Sequence, residues 1–262
     1  MGADRSPLAH NRSSRWQLLR VCFSFVHALT RIIRVLWIPA YRRAFLRTRV
    51  AASTEHDRIL ESMRLDVVVD LGANRGQFAL CIRRLYPRAQ IYSFEPLRRP
   101  AETYRSTFKD DANVELFNVA VSDETGTAVM NVSRWDVSSS LLPIGPNQHG
   151  NYPLTEVARH ESVRTARLEE CLEPDQITGR ALLKLDVQGF ELSALKGCGA
   201  LLERFAYVYV EASFIELYLG QALAADVIDF LHVRDFHLVC VANLSTGKSR
   251  RPIQADFLFA RR

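Results

Sequence analysis

Short apolar runs of strand length alternate with helix-length segments through most of this chain, and that alternation restricts the fold more than any other feature. Residues 67–71, 90–94, 114–121, 181–187 and 207–211 read as buried strands, and 77–86, 98–108, 191–205 and 222–236 as helices. Pro87 stops the first helix. Strands joined by helical crossovers build a parallel sheet covered on both faces. The last two runs, 237–242 and 256–260, are separated only by a loop that includes Ser245-Thr246-Gly247-Lys248. A parallel return needs a crossover of about a dozen residues, so this pair is antiparallel. The predicted fold is α/β: a doubly wound, mostly parallel seven-stranded Rossmann-like sheet with an antiparallel terminal strand and an N-terminal helical extension.

An insertion over residues 122–180 separates the third and fourth parallel strands. Thr127-Ala-Val-Met-Asn-Val132 reads as a hairpin, and Ser138-Ser139-Ser140, Pro143, Gly145-Pro146 and His149-Gly150 as irregular chain. Long irregular segments inside compact domains are commonly functional, so this one reads as a lid.

Open parallel sheets bind ligands at the carboxyl ends of their strands. The first strand ends in Asp70-Leu71-Gly72-Ala73-Asn74-Arg75-Gly76. Gly72 suits a tight turn, Gly76 suits close packing at a helix start, and Asn74 tolerates the left-handed conformation. Neither G-x-G-x-x-G nor a G-x-x-x-x-G-K-[ST] phosphate loop is present. Asp70 would repel a phosphate and favour a cationic or hydrogen-bond-donating group. Glu95, closing the second strand, stands where an acid accepts from ribose hydroxyls. A ribose, no phosphate and a cationic amino-acid tail describe S-adenosylmethionine. The plainer alternative makes Asp70 and Glu95 helix caps.

Four stretches together carry a resemblance: D-x-G-A-N-x-G-x-F at Asp70 to Phe78, F-E-P at Phe94 to Pro96, N-x-A-x-S-D-x-x-G at Asn118 to Gly126, and L-K-L-D-V-Q-G-F-E at Leu183 to Glu191. In these the chain resembles the FkbM family of S-adenosylmethionine-dependent methyltransferases, over about residues 65–262. The chain is accordingly divided into a methyltransferase domain over 56–262 and a basic amphipathic arm over 1–55, which the resemblance does not cover. The resemblance implies O-methylation of hydroxyls on sugars of glycolipids, cell-surface polysaccharides and signalling oligosaccharides, or on polyketides. It places Asp70, Gly72, Asn74 and Gly76 at the methionine end, with Phe78 closing the motif. Glu95 falls on the ribose, Asn118 and Ala120 beside the adenine, and Ser139 and Ser140 in a serine-rich stretch near the site. Gln188 departs from the glutamate usual in the family.

Methyl transfer to a hydroxyl needs alignment and a proton acceptor, the latter contributing about 10²–10⁴-fold. Asp186, ending the fourth strand, is the first choice, as base or as ligand of a divalent metal such as magnesium. Glu191 is a second catalytic candidate or a first-turn helix acid. Lys184 lies two residues before Asp186 on the same strand face. His149 and His160 are rival bases, and Glu211 could complete a metal or sugar site. No His/Asp/Glu spacing forms a dedicated metal motif.

The net charge of +5 is unevenly placed: residues 1–50 hold ten arginines and one acid, Asp4, leaving the remainder acidic. At about 100° per residue, Arg20, Ser24, His27, Arg31 and Arg34 share one face, and apolar residues from Leu18 to Trp37 fill the rest. This reads as a helix ending near Pro39. Its longest uncharged run, 21–30, falls short of the ~20 residues that span a bilayer. A cleaved signal peptide is disfavoured because apolar and arginine residues continue past Ala28. The helix packs on the domain, on a second subunit of a homodimer, or in the plane of a membrane through residues 15–50. Arginines interleaved with a wide apolar face argue against nucleic acid. Five separated cysteines without a C-x-x-C pair indicate reduced thiols in a cytoplasmic protein, free or at the inner membrane face. The leading function is methylation of a sugar-containing acceptor. RNA or another small molecule as acceptor, or a non-catalytic binding role, are the alternatives.

Overall fold

The computed structural model describes residues 37–247 and 250–262. Its elements run α1 (Pro39–Thr48), α2 (Asp57–Leu60), β1 (Val67–Leu71), α3 (Gln77–Leu85), β2 (Gln90–Phe94), α4 (Arg98–Thr107), β3 (Val114–Phe117), β4 (Ala120–Val121) and β5 (Gly126–Ser133). They continue with α5 (Pro146–Asn151), β6 (Val157–Ala166), β7 (Ala181–Leu185), α6 (Glu191–Gly197), β8 (Tyr207–Ser213), α7 (Ala224–His232), β9 (Phe236–Thr246) and β10 (Pro252–Arg261).

Seven strands form one sheet in the order β3-β2-β1-β7-β8-β10-β9. β1 pairs in parallel with β2 and β7, and β7 with β8, while β10 runs antiparallel to both β8 and β9. This is the predicted architecture, antiparallel strand included. The order reverses between β1 and β7, so the crevice above their carboxyl ends is where a ligand enters.

Period-2 alternation explains why these strands are apolar throughout. Val67, Val69 and Leu71 face one core with Leu183, Leu185, Val208 and Val210, covered by Ala194 and Leu195 of α6 and Val227 and Leu231 of α7. Val68, Ile91 and Leu182 face the other core, covered by Phe78, Ala79 and Ile82 of α3 and Tyr104 of α4. Both faces being buried, β1 and β7 have no solvent side to mark with polar residues. The same alternation puts Asp70 and Lys184 on the α3 face, just above the second core.

Most of the amphipathic helix read from residues 18–37 lies outside the described residues. Pro39, predicted to end it, instead occupies the first turn of α1, where a missing N–H costs nothing. Residues 39–55 belong to the packing of the domain: Tyr41, Ala44, Val50 and Ala52 are buried in the second core. The Tyr41 hydroxyl also accepts from Arg84 Nε at 3.0 Å.

The structure also departs from the sequence reading within the domain. The third strand, read as 114–121, breaks at Asn118, whose Nδ2 donates to the carbonyls of Glu95 (2.7 Å) and Pro96 (2.9 Å) and turns the chain out of the main sheet. Residues 127–132 are not a hairpin. They lie in β5, which pairs antiparallel with the distant β6, while β4 pairs with the other edge of β6. The insertion therefore supplies two strands of a three-stranded sheet that β4 completes, anchored by Met130, Val132 and Val163 against Leu97. The third helix, read as 191–205, breaks after Gly197; Gly199 takes φ of 53° and a 3-10 stretch, Gly199–Arg204, follows. α7 is likewise shorter than the 222–236 reading.

Tyr41→Ala is expected to lower unfolding free energy by about 3–5 kcal/mol, the usual cost of truncating a buried aromatic. Urea denaturation checks it; a loss under about 1 kcal/mol would show that this segment is dispensable to the domain.

Candidate active site

A cavity of about 520 Å³ opens at the β1/β7 crevice, and its lining residues fall into two groups, an apolar limb and a polar limb. The first is built on the turn after β1. Gly72 (φ 80°), Asn74 (φ 47°) and Gly76 (φ 93°) are all left-handed. A Cβ on Gly72 would lie 2.0 Å from the Asp186 carbonyl oxygen, so only glycine lets this turn touch the loop after β7. Every N–H in the turn is consumed internally: Gly72 and Ala73 donate to Phe94 O, Asn74 to Glu95 Oε2, Arg75 to Asn74 Oδ1, and Gly76 to Ala73 O. No fan of donors is left for a phosphate.

Glu95 sits at the end of β2 with Oε1 accepting from Leu97 N (2.8 Å) and Oε2 from Asn74 N (2.9 Å). Burial raises its carboxyl to about 7, partly offset by those two N–H groups, with Asp136 and Asp70 adding to the rise. Each oxygen keeps a lone pair for a hydroxyl donor. Phe94, Leu97, Val119, Ala120, Met130 and Leu141 line the rest of this limb and make it apolar.

Several expected contacts are indirect. Asp70 is fully buried behind the cavity wall; it reaches the site through Lys184, whose ammonium is 3.1 Å from its Oδ1. The approach lies off the hydrogen-bonding direction, so neither Asp70 oxygen accepts a hydrogen bond. Gly76 packs against Phe108 and Tyr104 rather than the cavity. Asn118 clips the chain after β2, and Ser140 Oγ donates to Gln188 O (2.6 Å), leaving Ser139 on the lining. Gly72, Asn74, Phe78, Glu95 and Ala120 line the cavity as expected.

The second limb is polar. Lys184 Nζ lies 3.7 Å from Asp186 Oδ2, donates to Gly72 O at 3.4 Å, and stands over the Phe78 ring at 5.4 Å. Burial opposes its charge, yet Asp70 and Asp186 outweigh burial and hold the ammonium above the ordinary lysine range. Gln188 (φ 54°) bridges two carboxylates: Nε2 donates to Asp186 Oδ1 (2.7 Å) and Glu211 Oε2 (3.1 Å), and Oε1 accepts from Tyr218 (2.6 Å). A glutamate here could not donate, so the departure noted in the sequence supplies an amide between two acids. Burial pushes the Glu211 carboxyl well up, with Asp186, Asp256 and Glu191 adding repulsion.

Glu191 does not line the cavity; its Oε1 accepts from Val187 N and Gly189 N and closes the loop after β7. Burial raises it to about 7. His149, bonded to Thr155 Oγ1 at 3.1 Å, and His160, on β6, are exposed and outside the lining. Among the described residues no three His, Cys, Asp or Glu side chains are grouped to hold a metal ion. One group the sequence reading missed lies at the base of this limb: His56, beside Tyr209, Asn243 and Asp256. His56 stands at the first position of the stretch read as the domain, ahead of every predicted strand, and its partners come from three different strands, so no local spacing signals it.

Residues 70–238 match the model of a family described as Methyltransferase FkbM domain. The chain is similar to 2-O-methyltransferase NoeI of Sinorhizobium fredii (strain NBRC 101917 / NGR234), 31% identical over 173 residues that cover 63% of this chain and 70% of that protein. It is also similar to Methyltransferase sdnD of Sordaria araneosa, 31% identical over 50% of this chain and 59% of that one, which is less than two thirds of its length. Among solved structures, Aeropyrum pernix fibrillarin in complex with S-adenosyl-L-methionine superposes with a TM-score of 0.45 at 13% identity, covering 78% of this chain and 73% of that one. Precorrin-6y C5,15-methyltransferase from Geobacter metallireducens gives 0.45 at 11% identity, covering 82% and 95%.

Glu95 and Glu191 are raised from 4.5 to about 7, so between those values the native state binds more protons than the unfolded chain. Their contribution to stability falls as pH rises through that window. The urea midpoint of the Glu95→Gln/Glu191→Gln double variant should therefore gain on the wild type as pH rises from 4.5 to 7; parallel curves would contradict the assignment.

Proposed function

This chain belongs to the FkbM methyltransferase family, and on that premise we propose that it transfers a methyl group from S-adenosylmethionine to a hydroxyl oxygen of a sugar, in a glycolipid or cell-surface polysaccharide. The observation that carries the reading is the junction, inside one cavity, of a phosphate-free nucleoside slot with a polar chamber rich in hydrogen-bonding side chains. The volume suits small-molecule ligands. With no spare N–H groups in the Gly72 turn, the slot fits a nucleoside without phosphate. The similarity to a 2-O-methyltransferase supports oxygen as the acceptor atom.

Bound there, S-adenosylmethionine supplies an electrophilic methyl on a sulfonium that departs as a neutral thioether. Glu95 takes the ribose hydroxyls on the lone pairs that Asn74 and Leu97 leave open. Phe94, Leu97 and Ala120 flank the base. Asp186 accepts a hydrogen bond from a hydroxyl of the acceptor sugar and aligns it, with Lys184 balancing its charge and Gln188 fixing its rotamer. Gln188, Glu211 and Asn243 present the mixed donors and acceptors that a polyol needs, beside the apolar faces of Phe78 and Tyr209. The basic apolar arm would hold the enzyme at a membrane surface where a lipid-linked sugar is displayed.

RNA as acceptor is favoured by one feature. A groove sharing Leu97, Trp135 and Asp136 with the cavity is lined by Arg49, Arg75, Arg99, Arg134 and Arg159, against one acid, Asp136. Such a surface complements a phosphate backbone.

Calorimetry with S-adenosylmethionine and its demethylated product should show binding, weakened by Glu95→Ala; absence of binding by the wild type would end the methyltransferase reading. Labelled methyl from S-adenosylmethionine is expected on a panel of glycosides and extracted glycolipids and not on RNA. Asp186→Asn should keep cofactor affinity and lose about 10²-fold or more in turnover, the scale of a misaligned acceptor. Full activity in that variant would remove Asp186 from the site chemistry.

A further inference from the structure

We infer that His56, oriented by Tyr209 and Asp256, is the base that takes the acceptor's proton; the inference rests on the methyltransferase reading above. The 3-10 turn Thr54–His56 brings this ring against Tyr209 of β8 and Asp256 of β10, edge-on to Phe78 (centroids 5.4 Å apart) and Tyr209 (5.5 Å). There it lines the polar limb of the cavity, as His149 and His160 do not.

Hydrogen-bond accounting fixes its tautomer. His56 Nδ1 lies 2.9 Å from the Tyr209 hydroxyl and 3.4 Å from Asp256 Oδ2. Tyr209 donates its single proton to Asp256 Oδ2 (2.8 Å), which also accepts from Asn243 Nδ2 (2.7 Å). Burial alone would raise the Asp256 carboxyl, but His56, Asn243 and Tyr209 hold it below its usual range, so it is the charged acceptor of this cluster. With the Tyr209 proton committed, Nδ1 must be the protonated nitrogen of the neutral ring. Nε2 then carries the lone pair, and no described residue hydrogen-bonds to it.

A histidine whose Nδ1–H is tied to a carboxylate cluster and whose Nε2 is bare is arranged as a general base. As the acceptor oxygen attacks, the O–H bond breaks and its proton passes to Nε2. The oxygen forms the bond to the methyl carbon, and the electrons of the broken S–C bond return to sulfur. The imidazolium so formed lies against Asp256, and the proton leaves to water. Asp186 already accepts from Gln188 and faces Lys184, which suits it to holding a neighbouring hydroxyl of the polyol while His56 removes the proton from the attacking oxygen. The groups whose charge acts on His56 are Asp256 from β10, Tyr209 from β8 and the buried Asp70 from β1, with Lys184 of β7 standing over the same Phe78 ring. Asp256 is a positioning residue.

Two measurements on the full chain test this. Long-range ¹H–¹⁵N NMR of histidine-labelled protein with S-adenosylhomocysteine bound should show His56 as the Nδ1–H tautomer, with Asp256→Asn shifting it; an Nε2–H tautomer overturns the inference. With the glycoside that accepts label best, His56→Ala should lose about 10²–10⁴-fold in kcat. S-adenosylhomocysteine affinity should stay within about twofold, and added imidazole should restore turnover. A kcat within a few-fold of wild type, or loss that imidazole leaves unchanged while affinity is intact, overturns it. Failure of the wild type to bind S-adenosylhomocysteine would instead strike the underlying methyltransferase reading, which keeps the two failures apart.

Discussion

The buried contact between Lys184 and Asp70 is the constraint on which the site depends. Both side chains lie almost wholly out of solvent on neighbouring central strands, directly opposite in register. Removing an ion from water costs several kcal/mol even after relaxation, and leaving one partner alone costs about 3–5 kcal/mol. The chain therefore cannot release either group without losing much of its stability. The ammonium spends its remaining interactions on function-bearing parts: the Gly72 carbonyl, the Asp186 carboxylate and the face of Phe78. The cofactor turn, the loop after β7 and the first turn of α3 are thus referenced to one charge.

From that point the two limbs follow from strand alternation. Asp70 and Lys184, then Asp186 and Glu211, rise along the α3 face of the sheet and bring acids toward one chamber. So many carboxylates in one place are tolerable only with counter-charge and donors, which Lys184, Gln188, Gln254, Asn243 and His56 provide. Gln188 has a particular part, since its amide separates Asp186 from Glu211 by donating to both. A chamber organised by such reciprocal donors and acceptors presents rotamer-locked polar groups, the property needed to recognise a polyol rather than a single charge.

The main sheet was legible because buried parallel strands must be apolar on both faces and their helices must carry a stripe, and both signals are local. The cofactor turn was legible for the same reason: Asp70, Gly72, Asn74, Gly76 and Glu95 are spaced by one β-α-β unit. The small sheet was not, because β6 exposes Val157, Ala158, Arg159 and His160, shows no burial alternation there, and finds its partners 30 or so residues away. His56 escaped for a different reason. Its role is set by Tyr209, Asn243 and Asp256, which are brought to it only when β8, β9 and β10 pair. Asp70 shows the opposite error: the sequence marks it as a site residue, yet its single-step contact is with Lys184, and the cavity meets it only through that ammonium.

The central claim is that one cavity holds a nucleoside in the Glu95 limb and points its reacting end into the limb lined by Asp186 and His56. A crystal structure with S-adenosylhomocysteine bound tests this most directly. The ribose hydroxyls are predicted on the Glu95 carboxylate, the base among Phe94, Leu97 and Ala120, and the sulfur facing Asp186. A nucleoside seated in the arginine groove beside Trp135, or a sulfur directed away from the polar limb, would contradict the account.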